Sequence, residues 1–537
     1  MRKMYYNVWI LFGFMSIASC VDLEETPESF ISPDQFYKTE KDAVSAVNAI
    51  YYSFADNAVG NQPIYNSLYN TGMDFMTDDL DAGPGSPNPD VRALAKLNHS
   101  LTNLRGKESW QQHYIVINQA NVAWEHVPTI QMNEKLKNRL LGEILFLRAL
   151  AYFDLVRQFG GVPVLLDDQT RIPLEEQLQP RASADSVYTR IISDLEESAN
   201  YFRASSGADI EAGRPTEGSA KALLSKVYLT KRDWANAIKL AEEVIGNNGA
   251  GASPYGYDLF EDYSHVFLPA YKNGKEHIFS IQFKAGVGTI NGNQVCRRDI
   301  AAGVPGLPGS YGDQVAFWQE GDDKYFSIYK LYSSKDKRRD VTFVKTYISP
   351  KDGLTYYGSP VDSKTYSSAN PPSTPIPDSI PYINKYWDPN YPASGFSEAN
   401  TPVLRFAEIL LIHAEAENEL NGATLKAYIS LNKVRRRAGL DDLTAGLSRD
   451  DFRDSVYIDR RLEVFGEYQR YFDLIRQTGR EVTGEGPEGR GILSKNLKKV
   501  GKNNVKPKHY LYPIPQVEIE RNPKLTQNPG WEEDIAN

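Results

Sequence analysis

The stretch Ala220-Lys-Ala-Leu-Leu-Ser-Lys-Val-Tyr-Leu-Thr-Lys-Arg-Asp-Trp-Ala-Asn-Ala-Ile-Lys-Leu-Ala-Glu-Glu-Val-Ile245 most constrains what this chain can fold into. Small Ala residues at the points where helices would cross, Tyr228 and Leu229 before a turn, and Trp234 and Ala237 opening a second apolar stripe describe a tetratricopeptide-like helical hairpin. Such a hairpin leaves one apolar face uncovered and is stable only against a neighbour of the same kind. The neighbours are visible. Thr39-Glu40-Lys41-Asp42 is a capping-box pattern, followed by Ala43, Val47, Ile50 and Phe54 on one helical face. Helical spacing further predicts helices over about Trp110–Val127, Glu134–Phe159, Ala184–Tyr201, Ser219–Thr230, Trp234–Ile245, Val403–Leu420 and Leu425–Ala438. The expected fold is mostly α: tetratricopeptide-like hairpins forming a scaffold, with long irregular loop-rich insertions and minor β.

Residues 246–400 differ in character. Gly303-Val-Pro-Gly-Leu-Pro-Gly309 and Asn370-Pro-Pro-Ser-Thr-Pro-Ile-Pro377 break any regular element, yet the stretch is rich in Tyr, Phe and Trp. Across the chain 33 Tyr, 22 Phe and 7 Trp supply ample apolar surface, so folded loops are expected rather than disorder. Two Cys in 537 residues exclude a disulfide scaffold. With 69 acids against 60 bases, and no basic run longer than Arg435-Arg436-Arg437, no nucleic-acid partner is expected.

At the N-terminus, Arg2 and Lys3 precede the apolar run Val8–Met15, the arrangement of a secretory signal peptide. The run falls short of the roughly 20 residues that span a bilayer as a helix. It ends Ile17-Ala18-Ser19-Cys20, which looks like a bacterial lipobox, so Cys20 is expected to become an acylated first residue. A Cys that merely happens to end a signal is the plain alternative. The following Asp22, Glu24 and Glu25 resemble a surface-export tag, and equally a solvated linker. The organisation expected is a lipoprotein signal over 1–19, an N-terminal helical region over 20–245 and a C-terminal region over 246–537. The last divides into loop-rich 246–400, helical 401–480 and a strap over 481–537.

Four stretches together resemble the SusD/RagB family of nutrient-uptake outer-membrane lipoproteins over nearly the whole chain. They are Glu143-Ile-Leu-Phe-Leu-Arg-Ala-Leu-Ala-Tyr-Phe-Asp-Leu-Val-Arg-Gln-Phe-Gly-Gly-Val-Pro163, Pro402-Val-Leu-Arg-Phe-Ala-Glu-Ile-Leu-Leu-Ile-His-Ala-Glu-Ala416, Asp459-Arg-Arg-Leu-Glu-Val-Phe-Gly-Glu-Tyr-Gln-Arg-Tyr-Phe-Asp-Leu-Ile-Arg476, and, within the strap, Tyr512-Pro-Ile-Pro-Gln-Val-Glu-Ile-Glu-Arg-Asn-Pro-Lys-Leu-Thr-Gln-Asn-Pro-Gly530. Asp459 stands where the family usually shows Glu, and Gly466-Glu467 inverts a more common order. The resemblance implies a lipid-anchored, surface-exposed outer-membrane protein. It would seat as a lid on a TonB-dependent (SusC-like) transporter and capture glycans for import. A peptide-binding subunit of the same kind of transporter is the runner-up, and a glycan-degrading enzyme the remote third.

The charges of Asp459–Arg476 are expected to be structural, with Leu462, Phe465, Phe472 and Ile475 as a buried stripe and Asp473 paired with Arg476 at i, i+3. No metalloprotease, phosphate-loop or nucleophile-elbow motif occurs, so no catalytic residue, cofactor or metal is assigned. A sugar site needs flat rings for C–H faces and a few fixed polar groups. The first candidates are Trp318 and Tyr311, flanked by Gly309-Ser-Tyr-Gly312 and Gly321-Asp-Asp323, then Tyr325 and Trp387. Asp74, Asp78, Asp79 and Asp81 lack the spacing of a calcium loop and by default form a solvated loop. The resemblance places that loop near the ligand face and makes Asp74 and Asp79 candidates for accepting hydrogen bonds from ligand hydroxyls.

Overall fold

In the computed structural model, the described residues are 36–55, 61–82, 86–169, 171–207, 209, 211–246, 251–284, 292–295, 304–307, 314–320, 323–357, 367–371, 381–388, 396–478 and 491–535. The signal segment and Cys20 lie outside them, and among them no helix is long and apolar enough to cross a membrane.

The helical scaffold follows the sequence periodicity. Helix α1 (Glu40–Ala55) starts at the capping box: Asp42 accepts from the Thr39 backbone N–H at 2.8 Å, and the Asp42 N–H donates to the Thr39 hydroxyl at 3.3 Å. Its predicted stripe, Ala43, Val47, Ile50 and Phe54, is fully buried. Helix α2 (Leu104–His126) begins six residues ahead of the expected start because Asn103 caps it, accepting from Arg105 and Gly106 N–H. Helix α3 (Glu134–Phe159) has the predicted bounds, capped by Asn133 and stopped at Gly160, whose φ of +72° suits glycine. Helices α4 (Ala184–Ala204), α5 (Glu217–Lys231) and α6 (Trp234–Ile245) continue the series. Arg232, at φ +62°, turns α5 into α6.

Helices α7 (Phe406–Asn421), α8 (Leu425–Arg437), α9 (Arg449–Glu463) and α10 (Arg470–Arg476) complete it. One expectation is corrected: the helix drawn from Val403 starts only at Phe406. Thr401–Arg405 is a strand, antiparallel to His277–Ile281, with Thr401 opposite Ile281 and Arg405 opposite His277. An apolar run of this length fits either state by periodicity, and pairing with a fully buried partner strand decides it.

Successive helices pack in pairs along the chain, and α6 packs on α7. The chain therefore leaves the scaffold after Ile245, folds the insertion, and resumes stacking at Phe406. One buried apolar cluster runs from Ala43 through α3, α5 and α7 to Ile514 and Leu525 of the strap, so the scaffold and the C-terminal segment share a core. The insertion forms short antiparallel pairs, one of them with a strand from before it: β1 (Leu80–Asp81) with β3 (Gln314–Val315), β2 (His277–Ile281) with β10 (Thr401–Arg405), β4 (Phe317–Glu320) with β5 (Asp323–Ser327), β6 (Phe343–Val344) with β9 (Tyr382–Ile383), and β7 (Thr346–Ile348) with β8 (Thr355–Tyr357).

Candidate functional site

The motif Asp459–Arg476 is a socket for the insertion. Glu463, fully buried, accepts from Arg405 at 2.6 Å, from Arg338 at 3.1 Å and from Arg437. Burial alone would raise its pKa; the guanidinium groups of Arg437, Arg405 and Arg338 instead hold it well below the usual carboxylate range. Lys385, from the insertion, donates to the carbonyls of Glu463 (3.1 Å) and Phe465 (2.6 Å) and to the Glu467 carboxylate (2.7 Å). Tyr332 and Tyr263 each donate a hydroxyl at 2.7 Å, to the carbonyls of Leu462 and Glu463. The predicted i, i+3 pair Asp473–Arg476 forms at 2.7 Å, but the expected single apolar stripe divides at the break between α9 and α10: Leu462 and Phe465 are buried in one cluster and Phe472 in another, with Ile475 half-buried against the latter.

The same socket holds the acidic segment. Arg470 clamps the Asp78 carboxylate with two bonds of 2.7 Å, and Asn496 adds a third at 3.0 Å. Arg461 grips Asp79 through Nε at 2.7 Å and Nη2 at 2.6 Å. Beneath them Lys502 donates to the carbonyls of Phe75, Thr77 and Leu80 at 2.6 to 2.9 Å. Asp78 is pushed up by burial and pulled further down by Arg461 and Arg470, and so stays ionised. The segment is therefore not the solvated loop of the default expectation. Asp74 and Asp79 are 3% exposed, and Asp79 turns its carboxylate inward to Arg461.

What the segment does is carry β1. Leu80 pairs with Val315 and Asp81 with Gln314, and the Ala316 N–H donates to the Asp79 carbonyl at 2.8 Å. Residues more than two hundred positions apart thus meet two residues ahead of Trp318. Trp318 lies on β4 opposite Phe326, and Tyr325 lies on β5. Tyr311 and the side chains of Trp318 and Tyr325 are outside the described residues. Under this hairpin a second apolar cluster, Phe75, Leu80, Val91, Ile328, Tyr332, Phe343 and Phe465 among others, joins the acidic segment, the insertion and the end of α9.

Trp387 lies in the turn after β9, which lies beside β3, its backbone N–H donating to the Asn384 carbonyl at 2.9 Å. It is half-buried, packs edge-on to Tyr347 with centroids 5.6 Å apart, and leans on a cluster of Val304, Tyr347, Tyr356 and Tyr382. The structure thus brings the Asp74–Asp81 segment and the Trp318 hairpin together, with Trp387 in the turn after the neighbouring strand β9.

A cleft of about 520 Å³ opens beyond β5, lined by Tyr329, Lys330, Arg339, Asp340 and Lys345 with Phe343 at its base. The Arg339 guanidinium lies 5.8 Å and the Lys345 ammonium 5.9 Å from the half-buried Tyr329 ring. Sequence reasoning did not single out these residues. Their charges look like ordinary surface charges, and only the short helix Lys337–Thr342 folding back on β6 gathers them. The one group among the described residues that could offer three metal ligands, Glu125, His126 and Asp168, is bridged by Arg171 at 3.3 and 3.5 Å, so a guanidinium already supplies the positive charge there.

Comparison with known proteins fits this architecture. The model of the SusD family matches residues 245–531, and a second model, described as starch-binding associating with outer membrane, matches residues 39–229. SusD-like protein P2 of Formosa agariphila is 27% identical, the alignment covering 98% of this chain and 99% of that protein. Among solved structures, a laminarin-binding SusD-like protein superposes with a TM-score of 0.70 at 25% identity, over 92% of this chain and 100% of that one. A SusD superfamily protein from Bacteroides vulgatus does so with a TM-score of 0.71 at 24% identity, over 92% and 100%. With a family model covering more than half its length, and with the helical scaffold, socket motif and strap all in place, the chain belongs to the SusD family.

Proposed function

We propose that this protein captures oligosaccharides at the face built by the β1–β3 pair, the β4–β5 hairpin and the Tyr329 cleft, and passes them to a partner TonB-dependent outer-membrane transporter. It does so as a non-enzymatic lipoprotein held at the cell surface through acylated Cys20. The observation that carries the reading is the clamping of the acidic segment by Arg461 and Arg470, which presents the Trp318 hairpin on a rigid base. A preorganised aromatic platform loses little entropy when it stacks on a sugar ring. The laminarin-binding relative, similar over nearly the whole chain, supports a glycan as the ligand class. In this reading Trp318, Tyr311 and Tyr325 supply rings, Trp387 flanks them, Asp79 acts from behind the face by fixing β1, and Asp74 is the remaining candidate to accept a hydrogen bond from a ligand hydroxyl.

The test is titration calorimetry of the protein against a panel of neutral glycans, with an oligopeptide panel alongside. Glycan binding that Trp318→Ala weakens by about tenfold, the loss of one good stacking contact, is the expected result. Binding to oligopeptides alone would move the assignment to a peptide-capturing subunit, and release of reducing ends by the protein alone would make it an enzyme. Anchoring is checked by Cys20→Ala, expected to appear in the soluble fraction; full membrane retention of that variant would refute the lipid anchor.

A further inference from the structure

A larger cleft, about 780 Å³, lies between the middle of α2, the Pro163–Leu178 connection and the C-terminal strap, and shares no lining residue with the Tyr329 cleft. Of its eighteen lining residues eight are Asn or Gln. The two charged ones, Glu518 and Arg521, pair with each other at 3.3 Å, so the cleft presents no net charge.

The amides are oriented. Gln111 donates to Glu518 at 2.6 Å, Gln169 to the Asp167 carbonyl at 3.0 Å and Gln177 to the Ile172 carbonyl at 2.7 Å. Asn118 accepts from the Gln169 backbone N–H at 3.1 Å, and Gln119 accepts from the Ser53 hydroxyl at 2.8 Å. One half of each half-buried amide is thereby fixed. The other halves, three carbonyl oxygens and two NH₂ groups, have no partner among the described residues. Between them lie apolar strips, Ile115, Leu165 and Leu178, and the Tyr114 ring, whose hydroxyl donates to the Pro163 carbonyl at 2.8 Å.

We propose that this cleft is a second binding site, specific for a neutral oligosaccharide. Each sugar hydroxyl both donates and accepts, and a set of fixed amides offers both roles side by side. The apolar strips match the C–H faces of the rings, and the volume lies in the range of small-ligand sites. The lack of net charge gives no grip on an anionic glycan or a peptide terminus. Among the described residues no strand edge lines the cleft, so an extended peptide finds no ladder to join.

The experiment is calorimetry of the full chain with laminarihexaose, a malto-oligosaccharide and an uncharged hexapeptide, on the parent, on Gln111→Ala/Gln177→Ala, on Ile115→Trp, which fills the cleft without removing an amide, and on Trp318→Ala. Thermal melts check that each variant is folded. The expected result is a hexasaccharide-binding component that survives Trp318→Ala and is weakened about tenfold or more by both cleft variants, as loss of one or two hydrogen bonds implies. That component persists even if the loop face binds nothing, which keeps the two sites distinguishable. Saccharide binding that neither cleft variant alters, absence of any saccharide component in the Trp318→Ala protein, or a cleft component seen only with the hexapeptide would each overturn the proposal.

Discussion

Arg461 and Glu463 sit two residues apart in α9 and do opposite jobs: one reaches out to hold the acidic segment, the other receives cations from the insertion. A buried ion pair adds little net stability over an apolar pair, but removing one partner strands the other charge. Arg461→Ala is therefore expected to destabilise the fold by about 3–5 kcal/mol, with the buried Asp79 carboxylate left without a hydrogen-bonded cation and facing only Arg470 at 3.8 Å, and denaturant unfolding measures it. Lys at the same position should recover only part of the loss, since it cannot make both bonds of the guanidinium fork. A second residue-scale effect lies under the strap. His99 and His509 face each other at 5.4 Å beside Trp531, with Lys508 close by. Burial, reinforced by neighbouring positive charge, pushes their pKa values down to about 3 and about 4. The unfolded chain, titrating near 6.5, binds protons that the folded chain refuses, so stability is full above about pH 6.5 and falls as the pH drops towards 3. Melting temperature followed across that window should decline, and His99→Phe should flatten the slope; an unchanged slope would remove these histidines from the explanation. That the charges of Asp459–Arg476 are structural was legible from their spacing against the apolar stripe. Their partners, Asp78, Asp79, Lys385 and Arg338, lie as much as 392 residues away, and no local pattern marks them.

Helix by helix, the caps carried the information. Asn133, accepting from Lys135 and Leu136 N–H at 3.0 and 3.2 Å, sets the start of α3, and Asn133→Ala is expected to cost about 1 kcal/mol in chemical denaturation. Where a short apolar run had no cap, as at Val403–Arg405, periodicity could not tell strand from helix, and the partner strand β2 decided. The candidate site depends on an element of this kind. The two-residue β1–β3 pair is too short for any sequence signal, yet it fixes the Trp318 hairpin to the clamped acidic segment. Ala316→Pro removes the N–H that bonds the Asp79 carbonyl, and should weaken glycan binding at the loop face while leaving the melting temperature of the helical core nearly unchanged. Parallel loss of affinity and core stability would instead show that the hairpin is part of the folding unit.

For the whole molecule, the packing of α6 on α7 across the 246–405 insertion makes the scaffold continuous although the chain is not. Ala237, Ile238 and Ala241 of α6 are buried. A fragment ending at Ile245 would leave uncovered the face that α7 packs on, and is expected to give no cooperative melt, whereas the intact chain should unfold in one calorimetric transition; an independently folding fragment would show two units. The sequence by itself determined the helical class, the hairpin scaffold, the family and the structural character of the Asp459–Arg476 charges. All of these are set by local periodicity, caps and short motifs, which act within a few turns of chain. Only the tertiary structure decided that the acidic segment is buried rather than solvated, that Asp79 faces Arg461, that Trp318 stands on a base drawn from both ends of the chain, and that neutral amides from α2, a connecting loop and the strap gather in one cleft. Each of these rests on contacts between residues far apart in sequence, and such contacts are selected by burial and charge pairing in the finished fold rather than by anything a local pattern encodes.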